Sequence, residues 1–153
     1  MTTYTARPID PTVLKELRSA DDAGSGMVPA RDEEGGAPLR CCLRRSERGE
    51  RIALVSYAPL RRWATEPGAY DEVGPVFVHA EECGGPAAGS GYPFAEAHRV
   101  IRRYSAEGHI LGGELVDTLD DEAFQRAFTD PSVVLVHVRA VEYGCFHFEV
   151  RRA

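Results

Sequence analysis

The chain has no long apolar run. Nothing in it approaches the roughly 18 consecutive apolar residues of a membrane-spanning helix, and residues 1–10 lack the apolar core of a signal peptide. The sequence therefore predicts a cytoplasmic protein that does not associate with membranes.

Lysine is almost absent, and acidic residues outnumber basic ones. The formal net charge is -6, Lys15 is the only lysine, and the arginines form no dense stripe interleaved with aromatic residues. The phosphate backbone of a nucleic acid would be repelled by such a chain. We therefore expect no nucleic-acid partner.

Cysteine occurs four times, but no two cysteines have the Cys-x-x-Cys spacing. In the cytosol we expect free thiols, because disulfides rarely persist there. Cys41 and Cys42 are neighbours within a predicted strand, where adjacent side chains point to opposite faces.

With 153 residues, 43% of them hydrophobic, the chain is long enough to bury a core without disulfides or metal. We expect a single domain over residues 1–153 with no cofactor.

Hydrophobic periodicity divides the chain into helices and strands. Asp10 and Pro11 are typical of a helix start, and Leu14 and Leu17 give that helix an apolar face. Alternating and β-branched runs predict strands, and capping residues after Thr118 predict a second helix. The predicted helices are 11–20 and one that begins near 118 and ends before 130; the predicted strands are 4–9, 38–44, 51–57, 75–80, 98–104, 110–116, 133–138 and 145–150.

Short connections between these strands predict hairpins. The polar segment 45–50, the turn 105–108 and the pair Tyr143-Gly144 each join two predicted strands. Gly112-Gly113 within a strand indicates a bulge or a close backbone approach. Successive hairpins with two short helices favour an α+β fold with a mainly antiparallel sheet.

Two segments have the composition of loops. Residues 21–37 are rich in Asp, Glu and Gly and have almost no apolar content, which predicts a mobile surface loop. Residues 84–92 form the most glycine-dense stretch and are predicted to be a glycine-rich loop. This loop has no lysine and no Ser/Thr motif of a phosphate-binding loop, so nucleotide binding is not supported.

Several short motifs resemble those of a known family. They are Arg40-Cys41-Cys42-Leu43, Ser56-Tyr57-Ala58-Pro59, Gly74-Pro75-Val76-Phe77-Val78-His79 followed by Cys83, and Gly144-Cys145. In order and spacing they resemble the small bacterial proteins classed as domain of unknown function 1203. That family has no established activity, so the resemblance implies a bacterial, soluble, single-domain protein. In the family's first motif a cysteine precedes the arginine and gives Cys-x-x-Cys. Leu39 stands at that position here, so a redox or metal role built on that pair does not carry over.

The predicted strand 75–80 carries His79 near its end, and Cys83 follows four residues later, next to the glycine-rich loop. Residues that carry chemistry often lie where a rigid element meets such a loop. Cys42 and Cys83 are the candidate nucleophiles, and His79 is the group that would lower a thiol pKa and carry its proton. These three residues are the predicted catalytic residues.

Arg40, Tyr57 and Arg99 are the predicted substrate-binding residues. They belong to predicted strands near His79, and a guanidinium group binds carboxylates well. The preferred interpretation is a metal-free pocket that binds or transforms a small polar or anionic metabolite. Whether the protein is an enzyme is left open.

One alternative is a zinc-binding protein. His79 and Cys83 form His-x-x-x-Cys, whose two side chains reach one metal ion if the loop folds back. Zinc then needs two further ligands. The residues of suitable type are Cys42, His98, Cys145 and His147.

Another alternative needs no chemistry. Edge strands of an antiparallel sheet expose unpaired backbone groups and pair readily with a second copy of the chain. The protein would then be a homodimeric interaction module without catalysis.

Overall fold

The structure is a computed structural model that describes residues 2–89 and 91–152. The chain forms two compact units: unit 1 comprises Met1–Arg7, Pro59–Glu72 and Gly89–Ala153, and unit 2 comprises Pro8–Ala58 and Val73–Ala88. The single domain over 1–153 and the mobility of 21–37 stay predictions. Ser90, in the predicted loop 84–92, lies outside the described residues, as do Met1 and Ala153.

The described residues contain two α-helices, a short 3₁₀ helix at Gly68–Tyr70 and ten strands. The helices are α1 (Pro11–Ser19) and α2 (Asp121–Ala127). The strands are β1 (Ala6–Arg7), β2 (Ala30–Arg31), β3 (Pro38–Leu39), β4 (Arg44–Arg45), β5 (Arg51–Tyr57), β6 (Gly74–His79), β7 (Arg99–Tyr104), β8 (Ile110–Val116), β9 (Leu135–Arg139) and β10 (Phe146–Arg151).

Unit 2 contains α1 and a five-stranded sheet in the order β2-β5-β6-β3-β4. Its pairs are antiparallel except for β3 and β6, which run parallel. Helix α1 contacts β5. It begins as predicted, because the Asp10 carboxylate accepts a hydrogen bond from the Thr12 amide at 2.8 Å and Pro11 occupies the first turn.

Unit 1 contains α2 and an antiparallel five-stranded sheet in the order β1-β10-β9-β7-β8. Strand β9 is buried along its whole length, as its β-branched sequence predicts. Leu60, Tyr104 and Leu135 form a buried cluster against which Trp63 packs. The Asp120 carboxylate caps α2 by accepting a hydrogen bond from the Ala123 amide at 2.9 Å.

Both hairpins predicted for unit 1 are confirmed. Strands β7 and β8 pair antiparallel, as do β9 and β10. The β7–β8 register shifts between Arg103 and Tyr104, opposite Gly112, which has a φ of 153°. The predicted bulge therefore occurs where only glycine fits comfortably.

The predicted strand 38–44 and its hairpin with 51–57 are wrong. The strand stops at Leu39, residues 40–43 form a turn, and β5 pairs with β2 and β6 instead. The Leu43 amide closes this turn on the Leu39 carbonyl at 2.9 Å, with Leu43 at a φ of 56°. Residues 39–43 are all buried, and such continuous burial is as compatible with a packed turn as with a strand.

Segment 21–37 contains β2. It is also hydrogen-bonded to residues at the end of β5 and just beyond it. The carboxylates of Asp21 and Asp22 accept hydrogen bonds from the amides of Ser56 and Ala58 at 3.1 and 2.7 Å. The predicted strand 4–9 is reduced to the two residues of β1.

The predicted α+β class, with mainly antiparallel strands and two short helices, is confirmed, and the strands divide between two sheets. Within the described residues, no helix has both the length and the apolar character needed to cross a membrane.

Candidate metal centre

Four side chains of unit 2 bring metal-ligand atoms together. The thiols of Cys41, Cys42 and Cys83 and a ring nitrogen of His79 all lie within 4.8 Å of one another. We call these four residues the cysteine–histidine cluster. Two of the three sulfurs are almost inaccessible, since Cys41 is 1% and Cys42 is 7% exposed.

The separations within the cluster match one tetrahedral ion. Cys41 Sγ lies 3.9 Å from Cys42 Sγ and 3.3 Å from His79 Nδ1, and Cys42 Sγ lies 3.8 Å from the same nitrogen. Bond lengths of about 2.3 Å to sulfur and about 2.0 Å to nitrogen put tetrahedral sulfurs about 3.8 Å apart and sulfur and nitrogen about 3.5 Å apart. Cys41, Cys42 and His79 therefore have the spacing of ligands in a mononuclear zinc site, and the Cys83 thiol lies within 4.8 Å of each of them.

Strand pairing builds the first half of the cluster. Leu39 pairs with Phe77 in the parallel register. Two positions farther along each segment, Cys41 therefore comes alongside His79. The Arg40 amide donates to the Phe77 carbonyl at 2.9 Å, and the His79 amide donates to Cys41 Sγ at 3.3 Å. The end of β6 and the turn after β3 are thus held side by side.

The turn 40–43 places both of its thiols on the same side. The expectation that Cys41 and Cys42 point to opposite faces is wrong, because it assumed an extended strand at these positions. In the turn, their sulfurs lie 3.9 Å apart and both approach His79.

The loop after β6 supplies the fourth member. The Ala80 amide donates to the Arg51 carbonyl at 3.1 Å, which ends the strand pairing, and the chain then turns back to bring Cys83 to the cluster. Cys83 is only half-buried. It is the most accessible of the three sulfurs.

Each sulfur accepts a hydrogen bond from a backbone amide. The donors are His79 to Cys41, Arg44 to Cys42 and Gly85 to Cys83. Amide donors favour the thiolate over the thiol, because they stabilise its negative charge. These amides therefore offset part of the cost of burying a thiolate.

The thiols also donate to one another. The Cys41 thiol donates to Cys42, which raises the pKa of Cys41, with burial as a further cause, and lowers the pKa of Cys42. Burial raises the pKa of Cys83. The hydrogen bond between the two thiols therefore favours a thiolate on Cys42 over one on Cys41.

His79 is held from its far edge by a carboxylate. Nε2 lies 2.8 Å from Oε2 of Glu50, and Arg44 makes two hydrogen bonds of 2.8 Å to the oxygens of Glu50. The Arg44 guanidinium keeps the pKa of Glu50 well below its usual range. When Nε2 donates its proton to Glu50, Nδ1 presents its lone pair to the thiols, which is the arrangement of a metal-bound histidine.

Two arginines flank the sulfurs. Arg18, on α1, donates from Nε to the His79 carbonyl at 3.1 Å, and its Nη2 is buried without a hydrogen-bond partner. The charge of Arg18 offsets part of the burial that raises the pKa of Cys83, and the charge of Arg44 adds to the Cys41 hydrogen bond that lowers the pKa of Cys42. These charges favour negative sulfur, although burial outweighs them at Cys83.

An open depression of about 420 Å³ adjoins the cluster in unit 2. Its lining residues are charged apart from Cys83 and His79. They are Arg31, Arg44, Glu50, Arg51, Glu81 and Glu82. Arg51 and Glu81 form an ion pair at 3.1 Å, so much of this charge is neutralised internally.

Of the residues predicted to carry chemistry, Cys42, His79 and Cys83 come together in the cluster. Arg40 is buried, and its guanidinium donates to the Pro38 carbonyl. Tyr57 pairs with Gly74 at the end of the β5–β6 ladder opposite to His79, about 17 Å along the strand at about 3.4 Å per residue. The predicted roles of these five residues stay predictions.

The remaining predicted residues belong to unit 1. Arg99 is buried and donates from Nη1 to the His98 carbonyl at 2.8 Å. Among the suggested further metal ligands, His98 pairs with Glu142 at 2.6 Å and His147 packs on the ring of Phe94. Cys145, also suggested, is a free half-buried thiol.

Sequence reasoning missed Cys41, Glu50 and Arg44 at this site. Cys41 left a signal, because two adjacent cysteines together with His-x-x-x-Cys supply four ligand-type side chains. Glu50 and Arg44 left none, since one glutamate and one arginine among 42 charged residues carry no distinguishing pattern.

A family model described as "Protein of unknown function (DUF1203)" matches residues 36–152. The matched range includes the whole cysteine–histidine cluster together with Glu50 and Arg44. Neither the curated proteins nor the solved structures gave a match to the chain.

Proposed function

We propose that this chain, which belongs to the DUF1203 family, binds one zinc ion through Cys41, Cys42, His79 and Cys83. The observation that carries the proposal is the mutual separation of the four ligand atoms, all within 4.8 Å of one another. Three thiolates and one imidazole are a common ligand set of tetrahedral zinc sites. This proposal replaces the metal-free pocket as the preferred interpretation.

The ligand chemistry favours a thiophilic metal such as zinc over magnesium or calcium. Thiolates select zinc, copper(I) and iron–sulfur clusters, whereas magnesium and calcium take oxygen ligands. A two-iron cluster spreads its protein ligands over two metal atoms and holds them farther apart than ligands of one ion. The compact spacing of the cysteine–histidine cluster supports a single ion.

The charges around the cluster support the same assignment. Three thiolates and a divalent zinc ion leave one net negative charge, and burying such a charge is costly unless cations lie nearby. Arg18 lies beside Cys83 and Arg44 lies beside Cys42, and Arg44 shares its charge between the cluster and Glu50. Nη2 of Arg18 is buried without a hydrogen-bond partner. The negative charge of the zinc–thiolate centre would compensate the positive charge of this guanidinium.

A site with four protein ligands is closed, which favours a structural role for the metal. The ion would join the turn 40–43, the end of β6 and the loop that carries Cys83. These segments share few regular hydrogen bonds, because β3 and β4 are two residues long. Zinc binding would therefore contribute directly to the folding free energy of unit 2.

Elemental analysis tests the proposal. The protein is purified without a histidine tag and without chelators, and its zinc content is measured together with its mass under native conditions. One zinc per chain, lost on unfolding, supports the site. A chain that carries no metal, and that takes up none when titrated with zinc sulfate, refutes it.

A metal-free thiol site at Cys42 is the second candidate. It is favoured by the lowered pKa of Cys42 and by His79 Nδ1 at 3.8 Å, and a small substrate would then bind in the adjoining depression. Iodoacetamide labelling distinguishes it. Cys42 would react faster than Cys145 below about pH 8 in protein that contains no metal, because only an activated thiolate reacts there.

A further inference from the structure

A second group of charged side chains lies in unit 1, on one face of β7 and β9. Arg102 pairs directly with His137, and Arg139 lies two positions beyond His137 on the same face. Arg139 is only 5% exposed and His137 is fully buried. Charged side chains are rarely buried to this extent unless they are paired.

Both arginines contact the same oxygen of Glu72. Nη2 of Arg139 and Nη1 of Arg102, the latter at 3.4 Å, approach Oε1. One carboxylate thus serves two guanidinium groups, which leaves an excess of positive charge at this face. The neighbouring imidazole records that excess, because the charges of Arg139 and Arg102 add to burial in lowering the pKa of His137.

The guanidinium of Arg139 is only partly used. Nη1 donates to the Gly144 carbonyl at 2.8 Å and Nη2 contacts Glu72, but Nε is buried without a hydrogen-bond partner. Nε and Nη2 form one edge of a guanidinium, and that edge binds both oxygens of a carboxylate or phosphate group. Glu72 contacts Nη2 of this edge and leaves Nε without a hydrogen-bond partner.

We propose that the Nε–Nη2 edge of Arg139 is a binding site for a small oxyanion, a carboxylate or phosphate group that replaces the side chain of Glu72. Arg102 completes the site, and the Tyr104 hydroxyl, 3.3 Å from Arg102 Nη1, orients it. Glu72 lies in an irregular segment just after the 3₁₀ helix, and its side chain is 40% exposed. Glu72 therefore acts as a tethered competitor that occupies the site when no ligand is bound.

Trp63 reports on this site. It is the only tryptophan of the chain, and its ring lies 6.1 Å from Tyr104 and 6.5 Å from His137. A change in charge at Arg102 or Arg139 alters the environment of this indole. Its fluorescence measures binding without a labelled ligand.

The experiment titrates sodium acetate and, separately, sodium phosphate at constant ionic strength into wild type, Glu72→Gln and Glu66→Gln. Glu66 is an exposed acid of the same segment and serves as the matched control. If Glu72 occupies the site nine-tenths of the time, its removal raises the apparent affinity about tenfold. We expect the tenfold gain in anion affinity in Glu72→Gln but not in Glu66→Gln. The double variant Glu72→Gln/Arg102→Gln should lose this gain. The anion that binds more tightly identifies the ligand chemistry.

The proposal is overturned if Glu72→Gln shows no saturable response to either anion, or binds no better than wild type and Glu66→Gln. It is equally overturned if Glu72→Gln/Arg102→Gln binds the anion as tightly as Glu72→Gln does. Should Glu72→Gln fail to fold, Glu72→Asp replaces it, since the shorter side chain keeps the charge but withdraws the carboxylate from Arg139. The same gain and the same loss are then expected.

Discussion

The Glu50 carboxylate lies 2.8 Å from Nε2 of His79, at the edge of the ring opposite to the nitrogen that faces the thiols. Arg44 holds that carboxylate through two hydrogen bonds of 2.8 Å. Carboxylate partners of this kind fix the tautomer of a metal-bound histidine and increase its basicity. In the proposed zinc site, Glu50 would therefore position His79 as a ligand without contacting the metal.

Replacing Glu50 should weaken zinc binding while leaving all four ligands in place. Glu50→Gln is expected to lower the zinc affinity by about 10- to 100-fold, the usual effect of losing such a partner. The measurement is a competition titration against a chromogenic chelator. Glu81→Gln, which removes another acid of the same depression, is the control and should bind zinc as wild type does. Equal affinities for all three proteins would rule out this role for Glu50.

Removing one thiol should have a larger effect. We expect Cys42→Ser to lower the zinc affinity by more than about 100-fold. Loss of a metal ligand weakens binding more than loss of a residue that only hydrogen-bonds to a ligand. Cys41→Ser should behave in the same way. Cys145→Ser removes a free thiol of unit 1 and should leave the zinc content unchanged. Full zinc occupancy in Cys41→Ser would show that the cluster is not the binding site.

Removing the metal should destabilise unit 2 selectively. Zinc that binds only the folded state stabilises it by about 2.7 kcal/mol when its free concentration is 100 times Kd. Treatment with a strong chelator should therefore lower the melting temperature and increase hydrogen exchange in β3, β4 and β6. Strands β7 and β9 of unit 1 serve as the internal reference. Uniform exchange changes in both units would contradict a local structural role.

His137 should make stability depend on mild acid. Burial, with the charges of Arg139 and Arg102, lowers its pKa well below 6.5 in the folded protein. Its contribution is therefore fully present above about pH 6.5 and is lost as the pH falls, because only the unfolded chain then binds the proton. The slope is at most about 1.4 kcal/mol per pH unit.

Chemical denaturation at pH 6.5 and pH 5 measures this effect. Wild type should lose about 1 to 2 kcal/mol more than His137→Phe over that interval, as follows from one proton bound on unfolding. The aromatic neighbours Trp63, Tyr104 and Phe146 can accommodate the phenyl ring. Because both proteins keep the cluster of unit 2, acid release of metal cancels in the comparison. Parallel losses in the two proteins would show that His137 does not carry the dependence.

Local rules predicted much of the fold. The Asp10 cap, the β5 limits and the hairpin β7–β8 all depend on residues close in sequence, and each was found where the sequence placed it. The parallel pairing of β3 with β6 joins residues 38 positions apart. No local pattern encodes it, and its absence from the prediction led to the wrong hairpin.

The candidate site was predicted in part for the same reason. His79 ends β6 and Cys83 lies in the loop that follows it, so sequence proximity links these two residues, and Cys42 is a residue of reactive type. Cys41 is not among the predicted site residues. The predicted strand directs its side chain away from that of Cys42, whereas the turn closed by Leu43 brings the two thiols together. Sequence patterns report residue types, but the turn geometry decides which of them meet.

X-ray absorption at the zinc edge of the wild-type protein identifies the atoms bound to the metal. We expect three sulfurs at about 2.3 Å and one nitrogen at about 2.0 Å. In Cys83→Ser, one sulfur should be replaced by a lighter atom. A shell of oxygen and nitrogen atoms, or a sulfur count unchanged in that variant, would contradict the assignment of Cys41, Cys42, His79 and Cys83 as the metal ligands.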